Sequence, residues 1–456
     1  IGVARAPHGV LKFLGPAVLV SVGYMDPGNW ATDLEGGARF GYQLIWVLLA
    51  SNVLAMVLQN LCARLGIIAG YDLATGCRRE FSRPLSVALW LLAELAIVAC
   101  DLAEVLGSAV ALQLLFGLPM LWGALVTSID VLLILMLQRH GMRRLEAAVL
   151  VMLVTVGVCM LVELTLARPS LAGIVGGLRP RLGIESLYVA IGILGATVMP
   201  HNLYLHSALV PKVQAAGRAG ALRRSFWSTA LALNLALLVN GAILITAAAV
   251  FWEQGVAIED LRDAHGLLTP LLGSALASWL FAIGLLCAGQ SATVSGTLAG
   301  QIVMEGFIKI RLPAVARRAL TRAIAIVPAV AVLAFVGDGG LMSLLLGSQI
   351  VLSLQLPFAI VPLLRMTNSP AVMGAHANAA PVRWFGAGSA LLIVSANVAL
   401  IARTVAQWWE PWPWLAGLLA AISLASLALL LRVATVPLRS GHAVAMRRST
   451  EYCPAS

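Results

Sequence analysis

The chain is poor in charge. Of its 456 residues only 11% are Asp, Glu, Lys or Arg, against about 25% in an ordinary soluble domain. With 60% hydrophobic residues and a mean hydropathy of +0.94, that shortage excludes a water-soluble globular protein. It leaves a polytopic membrane protein built from recurring apolar runs. Paired cysteines are also lacking. Cys62, Cys77, Cys100, Cys159, Cys287 and Cys453 are scattered, with no CxxC among them. Their spacing excludes a disulfide framework or a zinc site, and inside apolar runs they read as small buried hydrophobes. No GxxxxGK[ST] phosphate loop occurs, which excludes an ATP site of that kind. Nothing near the N-terminus reads as a cleavable signal; Arg5, His8 and Lys12 simply precede the first apolar run. No stretch between the runs is long enough for a separate soluble domain.

What is present is a series of apolar segments. Twelve helical spans are expected near 13–38, 44–69, 86–115, 119–138, 146–167, 186–211, 226–252, 270–300, 319–336, 341–364, 384–404 and 413–432. Most are long enough to cross the hydrocarbon, which takes about 20 residues. Most of the basic residues fall on alternate connections. Among them are Arg78, Arg79 and Arg83, then Arg139, Arg143 and Arg144, then Arg447 and Arg448 in the tail. The opposite side holds only Arg39, Arg168, Arg179, Arg181, Arg262 and Arg403. The asymmetry places both termini in the cytoplasm and explains the net charge of +10 without nucleic acid. The outer segment 253–265, with Glu253, Glu259, Asp260 and Asp263, reads as a solvated acidic loop. Trp408, Trp409, Trp412 and Trp414, between the last two spans, read as an interfacial anchor belt.

Two spans are broken. In the first, YMDPGNWA at 24–31 puts an acid, a proline, a glycine and an amide inside an apolar run. In the sixth, GATVMPHNLYLHS at 195–207 interrupts the run at Met199-Pro200-His201. Proline removes a backbone donor and clashes with the preceding turn, so each break frees carbonyls. Within a membrane such groups are tolerated only against protein or a watery cavity. One break alone reads as a packing kink. Breaks in spans one and six are what a five-plus-five inverted repeat predicts, with the substrate site between them near the midplane. The repeat rests on these positions, since the halves share no clear residue-level similarity.

The breaks together offer a mixed donor set: the Asp26 carboxylate, the Asn29 amide oxygen, a freed carbonyl near Ala196 and the Met199 thioether. Oxygen-only sites suit hard Mg²⁺ and Ca²⁺, whereas a thioether favours softer ions. The expected substrate is therefore a divalent transition metal, with Mn²⁺ or Fe²⁺ leading. A methionine in an apolar helix is more often filler; only its place beside Pro200 promotes Met199. His201 suits metal ligation and a proton or hydrogen-bond role about equally.

These motifs resemble the signatures of the Nramp family of proton-coupled divalent metal transporters: DPGN in span one, MPH in span six, and GQSATVSGTLAGQIVMEGF at 289–307. The similarity runs from about Leu14 to Pro362 and more weakly beyond. It implies an all-α integral membrane protein of LeuT-type fold, with two inverted five-helix repeats and two extra C-terminal helices. Its parts would be a cytoplasmic segment 1–12, helices one to five over 13–167, and helices six to ten over 168–364. Helices eleven and twelve would follow over 365–433, then a basic cytoplasmic tail at 434–456. By position, Asp26, Asn29 and Met199 match the family's metal-binding side chains and Ala196 its carbonyl ligand. Gly23, where the family often has Ala, matches a carbonyl that helps in the outward-facing state. Gln349 matches a glutamine that approaches the metal, although without the resemblance it reads equally as interhelical glue. The resemblance implies H⁺ and Mn²⁺, Fe²⁺, Co²⁺ or Cd²⁺ as cargo, no cofactor, no enzymatic activity, the lipid bilayer as surroundings and no obligatory protein partner, in a bacterial inner membrane.

Span three carries ELAIVACDLAE. Glu94, Asp101 and Glu104 are spaced by seven and three and share a helix face. Acids on one intramembrane face are costly unless they line water or meet cations, and such chains mark proton relays; a structural salt-bridge face is the alternative. All three match acids implicated in proton movement in the family. His201 and Asp26 would start the route, with Arg322 as an exit partner and His206 as a water-linked partner or part of a packing network. Asp130 in span four has no place in the family pattern, and Glu163 near the end of span five reads as an interfacial residue; structural pairing suits both, and neither is assigned a function. Three rivals stay open. A Mg²⁺ transporter on the same scaffold would lack the methionine, a metal sensor would need an output domain, and an amino-acid transporter would prefer a Gly-rich break.

Overall fold

In a computed structural model of the protein, the described residues are 11–127, 142–210, 217–256, 258, 260–309 and 340–440, with 316, 324 and 327 singly. Among them every regular element is helical. The principal helices are α1 (Leu11–Val22), α2 (Pro27–Phe40), α3 (Ile45–Ala69), α4 (Leu73–Glu80), α5 (Arg83–Phe116), α6 (Met142–Ala167), α7 (Leu171–Gly177) and α8 (Ser186–Thr197). Next come α9 (Pro200–Leu209), α10 (Arg218–Ala247), α11 (Leu261–Leu272), α12 (Ala275–Ile308), α13 (Leu341–Asn368), α14 (Ala380–Trp408) and α15 (Pro413–Thr435).

Nine stretches among the described residues are long and apolar enough to cross a membrane, one of them joining α2 and α3 as Pro27–Ala69. They overlap every expected span except those at 119–138 and 319–336, which lie largely outside the described residues together with Asp130 and Arg322; α1, the first half of span one, precedes the first stretch. Two boundaries are corrected. The eighth span begins at Ala275 rather than 270, because Gly273 in the left-handed region (φ 65°) ends α11 there. The acidic stretch 253–265 is not all loop: Asp260 and Asp263 form a capping box that starts α11. The short helices α4 and α7 lie in segments read as connections.

Both breaks follow from where the prolines stand. Pro27 and Pro200 each occupy the first turn of the second half-helix, where a missing N–H costs nothing. The chain therefore stops and restarts instead of kinking. α1 ends at Val22, a 3₁₀ turn spans Gly23–Met25, and Asp26 is extended (φ −74°, ψ 169°) before α2. α8 ends at Thr197, and Val198 and Met199 are non-helical before α9. The broken helices lie at the centre, among α3, α5, α10, α12 and α13. α15 is peripheral, with Leu418, Ile422, Leu424 and Leu431 all more than half exposed. The four tryptophans at the junction of α14 and α15 are exposed, as an anchor belt requires.

Candidate metal site

Asp26 is completely buried and caps α2: its Oδ1 accepts from the Asn29 backbone N–H at 2.8 Å and from Asn29 Nδ2 at 2.7 Å. The other oxygen, Oδ2, has no hydrogen-bond partner among the described residues. Asn29, also fully buried, reaches across to the second break, where Nδ2 donates to the Ala196 carbonyl at 3.0 Å. The Gly23 carbonyl lies 3.5 Å from the same nitrogen. One carboxylate, one amide and a carbonyl from each break thus converge on one point. α1 and α8 both end here, and a helix C-terminus carries roughly half a negative charge. The N-termini of α2 and α9 begin at the same breaks with the opposite partial charge, so it is the Asp26 carboxylate that tips the field here toward a cation.

Gln349 on α13 lies against the first break. A side chain at Gly28 would collide with its amide, and its Oε1 has no hydrogen-bond partner among the described residues. Met199 is fully buried in a cluster with Ala96, Cys100 and Leu352. Among the described residues no three His, Cys, Asp or Glu side chains gather into a metal site. The candidate site has one formal charge and otherwise neutral donors, an arrangement suited to a cargo that must leave again rather than to a metal held permanently.

The acids of α5 sit beside this centre. Asp101 and Glu104 are buried and both face Gly296 of α12, where a Cβ would lie 2.9 Å from Glu104 Oε1 and 3.4 Å from Asp101 Oδ1. Cys100 stands between them and the second break: its Sγ is 3.6 Å from Glu104 Oε1 and 3.8 Å from His201 Nε2. A thiol read as inert filler from sequence therefore joins the histidine to the acid. Glu94 shares the helix face but is only partly buried and accepts from Trp90 Nε1 at 3.0 Å, apart from the other two. His206 belongs to a different branch. Its Nδ1 pairs with Gln59 Oε1 at 2.8 Å, and Gln59 Nε2 donates to Tyr24 Oη at 2.8 Å. Glu163 is buried, 2% exposed, beside a small cavity lined by Met160, Thr246 and Phe281.

Two further polar residues belong to the site and were not foreseen. Asn202, fully buried, presses its amide over Gly23 so closely that a Cβ there would collide with it. Asn240 on α10 donates from Nδ2 to the Tyr24 carbonyl at 2.8 Å and to Asn29 Oδ1 at 3.2 Å. The only signal for Asn202 was its place directly after MPH; Asn240 is a lone amide in an apolar run.

Comparison with known proteins decides the family. The model of the natural resistance-associated macrophage protein-like family, Nramp, matches residues 17–403. The chain belongs to the Nramp family. It is 52% identical over 402 residues to a protein of Xanthomonas campestris pv. campestris named divalent metal cation transporter MntH, covering 86% of this chain and 90% of that one. A Nostoc protein of the same name is 48% identical, with 88% of this chain and 92% of the relative covered. Among solved structures, the Eremococcus coleocola manganese transporter in complex with an aromatic bis-isothiourea substituted compound superimposes with a TM-score of 0.86 at 36% identity, over 94% of this chain and 96% of that one. Mhp1, a nucleobase-cation-symport-1 family transporter, matches at a TM-score of 0.53 and 17% identity over 95% of this chain and 96% of that one, a likeness of fold alone. The Nramp chain is thus an all-helical integral membrane protein of LeuT-type fold.

Proposed function

We propose that the protein imports divalent transition-metal ions with protons, by alternating access. Mn²⁺ is the foremost substrate and Fe²⁺, Co²⁺ and Cd²⁺ are fellow substrates. The membrane is a bacterial inner membrane, with both termini in the cytoplasm. The observation that carries the reading is the convergence of Asp26 Oδ1 and the Ala196 and Gly23 carbonyls around one point, beside an Asp26 Oδ2 with no partner among the described residues. These oxygens replace part of the ion's water shell. Met199, from the opposite break, makes softer ions preferable to Mg²⁺ and Ca²⁺. Gln349 adds an oxygen as the helices move. The names of the relatives, a divalent metal cation transporter and a manganese transporter, agree with this cargo.

Protons travel separately from the metal, from His201 through Cys100 to Glu104 and Asp101. A second track keeps the proton from competing for the metal's ligands. The test is purified protein in liposomes, with Mn²⁺ uptake and internal pH followed together. Mn²⁺ entry with internal acidification is expected. Absence of Mn²⁺ flux defeats the transport reading; flux without acidification removes the coupling and leaves metal transport standing.

A further inference from the structure

The amide of Asn29 is turned away from the orientation a metal ligand needs. Its nitrogen faces Asp26 Oδ1 and the Ala196 and Gly23 carbonyls, while its oxygen faces α10 and accepts from Asn240 Nδ2 at 3.2 Å. The neighbours fix this choice. Reversed, an amide oxygen would face a carboxylate oxygen and two carbonyl oxygens with no hydrogen between them. The nitrogen's two hydrogens thus serve the Asp26 and Ala196 oxygens, with the Gly23 carbonyl at the edge of reach, in the place a cation would take.

A cation at that point requires the Asn29 amide to rotate by about half a turn, bringing Oδ1 inward. Nδ2 would then face Asn240 Nδ2, donor against donor. Asn240 does not turn over freely in response, because the same nitrogen donates to the Tyr24 carbonyl at 2.8 Å, a carbonyl at the first break. Asn240 is 2% exposed, and its own oxygen has no partner among the described residues. Rotation of both amides would give that oxygen a partner in Asn29 Nδ2.

We propose that Asn240 is a positioning residue that holds Asn29 in the donating orientation. It seals the site against itself and opposes cargo until a cation turns both amides. The proposal rests on the metal-transport reading. It assigns Asn240 a part in release as well: the pair that resists entry also favours return to the sealed arrangement once the ion leaves.

The test compares the full-length wild type with Asn240→Leu, similar in size but without the donor. Mn²⁺ binding is read by calorimetry in detergent, and the KM and maximal rate of Mn²⁺ uptake are read in liposomes. Asn240→Leu is expected to bind Mn²⁺ about fivefold more tightly, the worth of about one net hydrogen bond, and to release it more slowly, with a lower maximal rate. In an Asn29→Ser background the same substitution is expected to leave affinity unchanged, since no amide remains to be turned. Asn240→Ser serves if the leucine variant does not yield folded protein. Unchanged or weaker Mn²⁺ affinity in a folded Asn240 variant overturns the positioning role while leaving metal transport intact. A wild type that binds no Mn²⁺ overturns both.

Discussion

The two breaks differ in how they satisfy their own backbone. In the first, Asp26 caps the helix that follows it, and the Tyr24 carbonyl is taken by Asn240. In the second, Met199 stands at the start of α9 with no side-chain cap, and the Ala196 carbonyl is reached from across the gap by Asn29. The first break supplies a formal charge and is braced by its own Asp26 and by Asn240 of α10. The second supplies a helix end and a soft atom, and depends on the first for its hydrogen bond. A cation between them would meet one full negative charge and helix ends of both signs, rather than two carboxylates. That limits how tightly it is held, which a transporter needs as much as it needs binding.

The sharpest way to break this comparison is to remove the charge. Asp26→Ala takes away the formal charge and the cap of α2 together. It is expected to abolish Mn²⁺ binding by calorimetry, a loss of at least about 100-fold, since a charged ligand in a dry site is worth several kcal/mol. Retained affinity would move the site away from the first break. The second break is tested by Met199→Ala. If this break contributes softness rather than charge, Mn²⁺ affinity should fall modestly, while the preference for Mn²⁺ over Mg²⁺ and Ca²⁺ drops about tenfold, or about 1.4 kcal/mol. Competition uptake in liposomes reads the ratio, and an unchanged ratio would show that the thioether is not the filter.

The breaks were legible in the sequence because proline and aspartate are costly in an apolar run, so their presence there demands a reason. The long helices were legible for the same cause. Their ends were less so: α10 starts at Arg218 and α14 at Ala380, outside the apolar runs near 226 and 384. Hydropathy marks the bilayer, not the last hydrogen bond of a helix. Asn240 was hidden, because an amide in an apolar helix looks alike whether it faces a ligand or a neighbour; only the crossing of α2 and α10 brings it to Asn29. Cys100 was hidden in the opposite way. Burial of a thiol was foreseen, and what the thiol touches was not.

Cys100 gives the finest test, because it separates the metal branch from the proton branch. Its Sγ is 3.8 Å from His201 Nε2 and 3.6 Å from Glu104 Oε1, distances that only a sulfur contact spans directly. Cys100→Ala removes the link without altering charge. Mn²⁺ affinity is expected to change less than on Met199→Ala, because the substitution touches none of the oxygens around Asn29 and meets the metal branch only where Cys100 packs against Met199. The protons entering per Mn²⁺, read from internal pH and metal uptake in the same liposomes, are expected to fall about threefold, a loss of under 1 kcal/mol in the relay. Cys100→Ser keeps a donor and acceptor at the position and should restore most of the acidification. If alanine and serine behave alike, the step from His201 to Glu104 runs through water rather than through the side chain at position 100, and the proton branch touches the second break only at His201.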